Sequence, residues 1–511
     1  MNQKWLRQLL QRRFFVILLL LLQLVAIIYT AISGSLASQL VSEILTLLSI
    51  LVCLYIVSRN STGAYKLIWI FMILMFPVFG GLLYLLFSFQ GDTKKFARHA
   101  ARTEAKAKGL LSLPGTSEEE LLQALPSQVS QMRYLQNHAG FPVYTDTETV
   151  YLSPGEQKYE SLLQELRKAE HYIFLEYFII QEGTMWNSIL EILKEKAAAG
   201  VKVRVLYDDI GCFLKLPKDY DCQLRQMGID CHVFNRFKPV LTSMQNNRDH
   251  RKIAVIDGKT AFTGGINLAD EYINAIERFG HWKDASVLVR GKAAWSFTLM
   301  FLQMWELASG EDEDYTQYYP WLFSDCPIKA SGFIQPYADS PMDTENVGEQ
   351  VYLQVINNAK QYLYINTPYL IIDESMMSAL CLAAKSGVDV RIVTPHKWDK
   401  RFVHITTRSY YRDLMAAGVR IYEYSRGFIH SKTFVSDDTV ATVGTTNLDF
   451  RSLYLSFECG VLMYRTEAVT QLKEDFLNTL EQCHEITDKD CYCGPFRRIF
   501  QDILRLFAPL M

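Results

Sequence analysis

Two stretches of the chain repeat one arrangement of residues that can carry charge and exchange protons. Both follow the pattern His-x-Lys, four residues, Asp, six residues, Gly-x-x-Asn, over 250–267 and 430–447. The residues concerned are His250, Lys252, Asp257, Asn267, His430, Lys432, Asp437 and Asn447. Each His-Lys pair leads into an apolar run typical of a strand, where residues two apart project to the same face. One copy therefore offers an imidazole beside a fixed cation, and two copies could surround one phosphate.

These residue types suit the transfer of a phosphodiester group. Attack on a phosphodiester adds negative charge to its equatorial oxygens, and fixed cations and hydrogen-bond donors directed at them lower the barrier. Lys252 and Lys432 would supply the charge, and Asn267 and Asn447 the amide donors. One histidine can attack phosphorus and form a covalent phosphohistidine, while the other protonates the departing alkoxide and then deprotonates the incoming alcohol. This chemistry needs no metal or other cofactor, and the sequence offers no carboxylate cluster to hold a metal.

A nucleophilic imidazole also needs its distal nitrogen protonated and held, which an acid on a neighbouring strand usually does. Glu458 and Asp284 are the candidates for this orienting role. The motif aspartates, Asp257 and Asp437, begin turns after their strands. We therefore expect these two to act mainly by closing loops within the catalytic motif.

The similarity between the two halves extends well beyond the motifs. The matching pairs of segments are 169–176 with 359–366, 196–204 with 383–391, and 227–230 with 417–420. Each half is predicted to run strand, helix, strand, helix, strand and motif strand. The strands are continuous apolar runs, which indicate a mostly parallel or mixed sheet covered on both faces. We predict an α/β fold with two duplicated half-domains, 143–325 and 326–494, packed as a pseudo-dimer with the motifs at their interface.

The N-terminal region is predicted to lie in a membrane. Of the 511 residues 49% are hydrophobic, and the excess lies before residue 92. A spanning helix needs about 20 apolar residues, so helical transmembrane spans are predicted near 14–32, 40–57 and 67–88, within a region 1–92. A basic connector follows at 93–142. The tail, 495–511, has apolar residues at helical spacing with arginines between them, which fits either an interfacial membrane helix or an ordinary packed helix.

The charge pattern bears on partners and on membrane topology. A formal net charge of -3 gives no sign of a nucleic-acid binder. The N-terminal cations should stay inside, and three full spans would then place most of the chain outside. The basic connector and the lack of a regular disulfide framework favour a cytoplasmic position instead. We expect a multi-pass protein of the cell membrane with cytoplasmic catalytic domains. The oligomeric state is left open.

The two motifs resemble the HKD motifs of the phospholipase D superfamily, and the resemblance covers nearly everything from about residue 143 onward. Within that superfamily the chain resembles bacterial cardiolipin synthases. The stretches that carry this closer resemblance are 76–87, 206–211, 247–252, 281–284, 366–369 and 443–452. The resemblance implies two phospholipase D-like half-domains and an enzyme of the lipid bilayer that condenses two phosphatidylglycerols into cardiolipin and glycerol. It also implies His250 as nucleophile and His430 as acid and base.

Two features depart from the family pattern. Gly265 and Thr445 occupy corresponding positions where many members carry serine, which affects one hydrogen bond to the phosphate. The chain also has three apolar segments, whereas two are usual in this family. The first departure concerns the chemistry and the second concerns the membrane topology.

Two other kinds of function compete with this interpretation. A membrane-bound phospholipase D-type phosphodiesterase, or a nuclease, would hydrolyse its substrate with water; the membrane segments argue against a nuclease. A non-catalytic scaffold would keep the fold without activity. Histidine and lysine in both motifs argue against a scaffold, because an inactive relative would be free to lose them.

Overall fold

The computed structural model describes residues 12–32, 35–59, 62–88, 91–111, 118–238, 243–320, 328, 330–492 and 494–511. These residues form two compact units. The small unit comprises the described residues of 1–97, 237–246 and 503–511. The large unit comprises those of 98–236 and 247–502. The predicted boundary between the half-domains, at 325 and 326, lies outside the described residues.

The small unit is built from apolar helices. They are α1 (Arg12–Ile32), α2 (Leu36–Ser58), α3 (Gly63–Met75) and α4 (Pro77–Ser88). Among the described residues, α2 is the one helix long and apolar enough to cross a membrane, with a mean hydropathy of 2.5. Its side chains are mostly exposed, as expected of a helix whose solvent is lipid. The described part of the chain thus contains one candidate transmembrane helix.

The third predicted span, 67–88, is divided into two helices. The break falls at Phe76, because Pro77 has no N–H for a continuous helix and its ring clashes with the preceding turn. The next backbone N–H groups, of Val78 and Phe79, donate to Oε1 of Gln23 at 3.0 and 3.1 Å. Gln23 lies in α1, so its polar side chain satisfies the start of α4 in apolar surroundings. Gly80 packs against the backbone of α3, where a Cβ would lie 2.7 Å from the Met72 carbonyl oxygen.

The basic connector predicted at 93–142 contains helices. Its first part is helix α5 (Gly91–Leu111), and from Arg98 onward it belongs to the large unit. Ala107 and Leu111 are buried, and Lys106 pairs with Glu306 at 2.9 Å. The segment has an apolar stripe at helical spacing, which requires a packing partner. The helices α6 (Glu118–Ala124) and α7 (Val129–Tyr134) follow.

The large unit contains two mixed sheets among its described residues. The first has the order β1-β9-β7-β6-β2-β3-β4, and β2, β3 and β4 are parallel while the other neighbours are antiparallel. Its strands are β1 (Thr147–Leu152), β2 (Tyr172–Tyr177), β3 (Lys202–Asp208), β4 (Asp230–Phe234), β6 (Lys252–Ile256), β7 (Thr260–Gly264) and β9 (Ser286–Gly291). The short strands β5 (Arg248–Asp249) and β8 (His281–Lys283) lie outside this sheet.

The second sheet repeats this order strand for strand, as β10-β19-β17-β16-β11-β13-β14, and adds β20 at one edge. Its strands are β10 (Phe333–Asp339), β11 (Tyr362–Asn366), β13 (Asp389–Pro395), β14 (Arg420–Tyr424), β16 (Thr433–Ser436), β17 (Val440–Gly444), β19 (Ser456–Tyr464) and β20 (Cys483–Glu485). Three short strands complete the set: β12 (Leu370–Ile371), β15 (Gly427–Ile429) and β18 (Leu448–Asp449). The predicted α/β duplication is therefore confirmed by the strand order.

Helices connect the strands and cover the sheets. In the first repeat they are α8 (Gly155–Lys168), α9 (Thr184–Ala198), α10 (Asp209–Cys212), α11 (Tyr220–Gln226) and α12 (Ala294–Ser309). In the second they are α13 (Val347–Asn358), α14 (Glu374–Lys385), α15 (Arg401–Ala416), α16 (Phe450–Tyr454), α17 (Glu467–Leu480) and α18 (Asp488–Cys491). The tail forms α19 (Pro495–Leu506), of which no residue is buried. The central strands β2 and β11 are buried at every position, as their apolar sequences predict.

Candidate active site

Each motif histidine is positioned by backbone from the other repeat. His250 lies between β5 and β6, and its N–H donates to the Phe457 carbonyl at 3.0 Å, where β5 runs parallel to the start of β19. His430 lies between β15 and β16, and its N–H donates to the Lys283 carbonyl at 2.7 Å, where β15 runs parallel to β8. Neither histidine would be held in this way by one repeat alone.

The strands that hold the histidines also supply their acidic partners. Nδ1 of His250 lies 2.8 Å from Oε1 of Glu458 in β19. Nδ1 of His430 lies 2.7 Å from Oδ2 of Asp284, the residue after β8. Both carboxyl groups are fully buried. Since the acid engages Nδ1 in each ring, Nε2 is the ring nitrogen that points away from the acid.

The two lysines lie against their own histidines. Nζ of Lys252 donates to the His250 carbonyl at 2.5 Å. Nζ of Lys432 donates to the His430 carbonyl and lies 3.1 Å from Nε2 of that ring. Both ammonium groups are buried, which lowers the pKa of Lys252 to about 8 and that of Lys432 to about 7. Two such cations held out of water form a strong anion-binding position.

The two His-Lys pairs occupy one electrostatic site. Burial is the main cause that lowers the pKa of His250 well below its usual value, and the charges of Lys252 and Lys432 follow. Burial and Lys432 likewise lower the pKa of His430 to about 4, with Lys252 adding to the effect and Asp284 opposing it. Each histidine thus feels the lysine of the other repeat. The structure brings together the pairs that the sequence separates by 180 positions (250 to 430).

The two orienting acids differ in charge state. Burial opposes ionisation of Asp284, but Lys432 and His430 outweigh it and lower its pKa. For Glu458 burial prevails and raises the pKa to about 7, although Lys252 acts against it. Asp284 is therefore a carboxylate at neutral pH, while Glu458 is partly protonated.

Thr445 and Gly265, which stand where many family members carry serine, lie next to these acids. The Thr445 hydroxyl donates a short hydrogen bond to Oε2 of Glu458. At the corresponding position Gly265 lies so close to Asp284 that a Cβ would stand 2.1 Å from Oδ1. The lack of a side chain at Gly265 thus leaves room for the Asp284 carboxylate, while Thr445 binds the Glu458 oxygen that also lies 3.0 Å from Nδ1 of His250. These contacts with the acids were not predicted from the sequence, from which we expected both positions to affect a hydrogen bond to the phosphate.

The predicted phosphate-binding asparagines are buried within loops after β7 and β17. Asn267 accepts the Ile179 N–H at 3.0 Å, and its amide donates to the Tyr272 hydroxyl at 2.7 Å. Asn447 donates to the Ser452 hydroxyl at 3.0 Å, and its side-chain oxygen has no partner in the described structure. Their amides therefore also hold neighbouring loops.

The motif aspartates lie at the far ends of the motif strands, away from the lysines. Asp257 accepts the backbone N–H groups of Glu170, His171 and Tyr172 at 2.8 to 2.9 Å. Asp437 does the same for residues 360–362 at 2.7 to 3.0 Å. In both motifs four strand residues lie between the lysine and the aspartate, a span of roughly 17 Å. The structure does not bring these two aspartates to the histidines.

Several residues around the histidines carried no signal that the sequence analysis used. The Phe178 ring meets the His250 ring edge-on at 5.1 Å. Tyr272 and Trp282 lie 5.6 and 5.3 Å from the His430 ring. Lys158 is 2% exposed, and its Nζ donates to the Tyr177 hydroxyl at 3.0 Å. The position of Lys158 on the apolar side of α8 could have indicated a third buried cation from the sequence.

Buried ion pairs also brace the segment that carries His250. Arg251 donates to Glu176 at 2.7 Å, and Arg248 donates to Asp208 at 2.9 Å. All four side chains are shielded from water, so each charge is costly without its partner. Charged residues inside otherwise apolar strands, such as Glu176 in β2, were the signal that could have found them. No group of three His, Cys, Asp or Glu side chains suited to a metal occurs in the described part of the chain.

Comparisons with known proteins agree with this arrangement. A family model described as "Cardiolipin synthase, PLD-like domain" matches residues 162–281 and 352–480, so each repeat is matched once. A second, "Phospholipase_D-nuclease N-terminal", matches residues 44–88. The chain is 37% identical to a cardiolipin synthase of Alkalihalophilus pseudofirmus over 92% of this chain and 93% of that protein. It is 35% identical to a cardiolipin synthase of Halalkalibacterium halodurans over the same shares of the two chains, 92% and 93%.

Solved structures share the fold, among them a lipid synthase. The crystal structure of a phosphatidylserine synthase from Haemophilus influenzae superposes with a TM-score of 0.54 and 15% sequence identity. The superposition covers 75% of this chain and 100% of that one. The shared part is thus large enough to contain both repeats.

Proposed function

The chain belongs to the cardiolipin synthase family of the phospholipase D superfamily, and from this premise we propose how it makes its product. It is a phosphatidyltransferase with a phospholipid substrate. Phosphatidylglycerol serves both as donor and as acceptor, and the products are cardiolipin and glycerol. The observation that carries the proposal is the pair of imidazoles, each backed by a buried acid and each beside a buried lysine.

In the first half-reaction His250 is the nucleophile. Its Nε2 attacks the phosphorus of one phosphatidylglycerol, the bond from phosphorus to the headgroup oxygen breaks, and His430 gives a proton to the departing glycerol. Lys252 and Lys432 hold the phosphate oxygens as their charge increases. Asn267 and Asn447 are placed by this proposal beside the same oxygens. The result is a phosphatidyl group bonded to His250 and free glycerol.

In the second half-reaction His430 acts as base. It removes a proton from the headgroup hydroxyl of a second phosphatidylglycerol, whose oxygen attacks phosphorus while the bond to His250 breaks. Asp284 stabilises the positive charge that His430 carries before it gives its proton to glycerol, and again after it accepts a proton from the second phosphatidylglycerol. Glu458 and Thr445 hold the ring of His250. The reaction is reversible because one phosphodiester bond replaces another.

A direct assay tests this function. Purified full-length protein in detergent would receive phosphatidylglycerol labelled in the acyl chains or in the headgroup. We expect acyl label in cardiolipin and headgroup label in free glycerol, and from the His430→Ala variant no cardiolipin and at most about one glycerol per protein molecule. Phosphatidic acid as the main acyl-labelled product would instead indicate hydrolysis by water and contradict the proposal.

The finer membrane topology is also part of the proposal. We place the catalytic repeats on the cytoplasmic side of a multi-pass protein of the cell membrane. Two observations support this: the cationic residues of α5, and the cysteines of the described residues, all of which are free. Cys222 is exposed and suits labelling. A membrane-impermeant maleimide should label it only after cells are permeabilised; labelling in intact cells would place the repeats outside.

A further inference from the structure

The loops that follow β3 and β13 occupy corresponding places in the two repeats and emerge beside the active site. In the first repeat Tyr177 of β2 is level with Tyr207 of β3 and with Lys252 of β6. In the second Asn366 of β11 is level with Val393 of β13 and with Thr433 of β16. The ends of β3 and β13 therefore share a sheet edge with the starts of the motif strands.

Both loops present large apolar side chains to the outside. After β3, Ile210 is 42% exposed and Leu214 is 92% exposed. After β13, Trp398 and Phe402 are 53% and 59% exposed. Single exposed apolar residues are common on protein surfaces, but a symmetric set at the edge of one site is not random scatter.

Cations accompany these apolar residues. Lys218 is exposed after β3, and Lys397 and Lys400 are exposed around Trp398. Lys400 is close enough to the active site that its charge contributes, after burial and the motif lysines, to the lowered pKa of His250. Apolar side chains with lysines beside them are the composition of a surface that contacts an anionic membrane.

The loop after β3 is likewise tied to the active site. The Gly211 backbone packs on Phe178, where a Cβ would lie 1.9 Å from the carbonyl oxygen, and Cys212 Sγ donates to that oxygen at 3.5 Å. Phe178 is the residue whose ring meets His250. The loop after β3 therefore contacts the backbone of the residue whose ring meets the His250 ring.

The C-terminal helix α19 extends the apolar surface on the side of the second loop. Phe500 contacts Phe402, with ring centroids 6.5 Å apart. Phe496 is 87% exposed, and Arg497 and Arg498 follow it directly. The sequence allowed two interpretations of the tail, an interfacial membrane helix or an ordinary packed helix. The exposure of Phe496 beside two arginines favours the interfacial membrane helix.

We propose that the loop after β3 (210–218), the loop after β13 (396–402) and the start of α19 form a rim that rests on the surface of an anionic phospholipid bilayer, so that a lipid headgroup rises directly into the active site. This inference rests on the proposed function and adds the route of the substrate. The occupant is a lipid surface because the apolar residues alternate with cations, and because a phosphatidylglycerol must keep its acyl chains out of water while its phosphate reaches His250.

The test separates lipid delivery from chemistry. Full-length protein would be placed in phosphatidylcholine nanodiscs and given phosphatidylglycerol in two forms, long-chain within the disc or short-chain dissolved in water. The rim variant is Leu214→Ser/Trp398→Ser/Phe402→Ser. It should make cardiolipin from embedded substrate at least about 10-fold more slowly, while turnover of dissolved substrate changes by less than about 2-fold, because each lost anchor weakens membrane contact and leaves the chemistry intact.

A matched control uses exposed apolar residues at the opposite sheet edge. Met227 and Leu382 are 38% and 63% exposed and precede β4 and β13. Met227→Ser/Leu382→Ser should leave both rates unchanged. Equal loss with both substrate forms, or no loss with either, would overturn the rim.

A direct measurement does not depend on turnover. Trp398 fluorescence, isolated as the difference between the natural chain and Trp398→Phe, should be quenched by lipids brominated in the acyl chains. An unquenched signal would overturn the proposal and point to a protein partner instead. Quenching in a protein that makes no cardiolipin from any substrate would support the rim while rejecting the proposed function.

Discussion

The two repeats agree where they hold the fold and differ where they hold the histidines. Asp257 and Asp437 each accept three backbone N–H groups at corresponding places. The acids behind the histidines have diverged: Asp284 faces a glycine, and Glu458 accepts from a threonine. A duplicated fold can thus remain symmetric while its chemistry becomes asymmetric.

The asymmetry has a physical reason. A transfer reaction that passes through one covalent intermediate needs one histidine to bond phosphorus and the other to move protons. The histidine that moves protons gains from a permanent negative charge behind it, which Asp284 supplies because its pKa is lowered. A partly neutral Glu458, with its pKa near 7, leaves His250 a ring that is held but not strongly charged.

The histidines should both be essential yet distinguishable. His250→Ala and His430→Ala should each lower cardiolipin formation by at least about 10,000-fold, because nucleophile and proton carrier act as one unit. Acyl-labelled phosphatidylglycerol should leave covalent label on the denatured His430→Ala protein and none on His250→Ala. The reverse pattern of label would exchange the two roles and contradict the assignment.

The orienting acids should show unequal losses. Asp284→Asn removes a charge and should lower kcat/KM by about 1,000-fold, whereas Glu458→Gln should cost about 10- to 100-fold near neutral pH. The Glu458→Gln loss should grow as the pH rises through about 7, since the natural carboxyl is charged only above that value. The Asp284→Asn loss should stay constant there. The measurement is kcat/KM as a function of pH for both variants. Equal losses with the same pH dependence would contradict the proposed difference between the two acids.

The lysines should set the alkaline limit of the reaction. Their pKa values are lowered to about 8 for Lys252 and about 7 for Lys432, so the ammonium charge is present below these values and lost above them. We expect kcat/KM to fall as the pH rises through this window, first by loss of charge at Lys432. Lys432→Arg keeps its charge and should move the alkaline decrease of kcat/KM to higher pH. Lys432→Met should lower kcat/KM by about 100-fold. If the alkaline decrease of kcat/KM lies at the same pH in Lys432→Arg, the titration of another group causes that decrease.

The motif aspartates should affect stability more than chemistry. Asp257→Ala should lower the free energy of unfolding by about 2–3 kcal/mol, because three hydrogen bonds to a carboxylate are lost. Asp437→Ala should cost less, since its bonds to residues 360 and 361 are exposed to water. Thermal unfolding gives the first quantity, and turnover of the folded fraction should stay within about 3-fold. A large loss of turnover without a loss of stability would instead indicate that these aspartates have a catalytic role.

Much of the fold was predictable because the duplication is written in the sequence. Two copies of one strand and helix pattern predict two similar sheets, and the strand orders agree. The span predicted over 67–88 differs because hydropathy counts apolar residues and ignores the break that Pro77 imposes. The packing of the helix within the predicted connector could not be predicted, because few apolar residues stand among many charged ones. Their role is visible only where they contact the rest of the large unit.

The sequence alone predicts the chemistry, because histidine and lysine recur at a fixed spacing and an acid is available for each ring. Which repeat supplies the acid for which histidine became visible only in the fold. Glu458 of the second repeat holds His250, and Asp284 of the first holds His430, through strands that pair across the repeats. Spacing along a chain fixes what one strand presents to its own face. Pairing between distant strands depends on the packing of the whole core, and no local pattern encodes it.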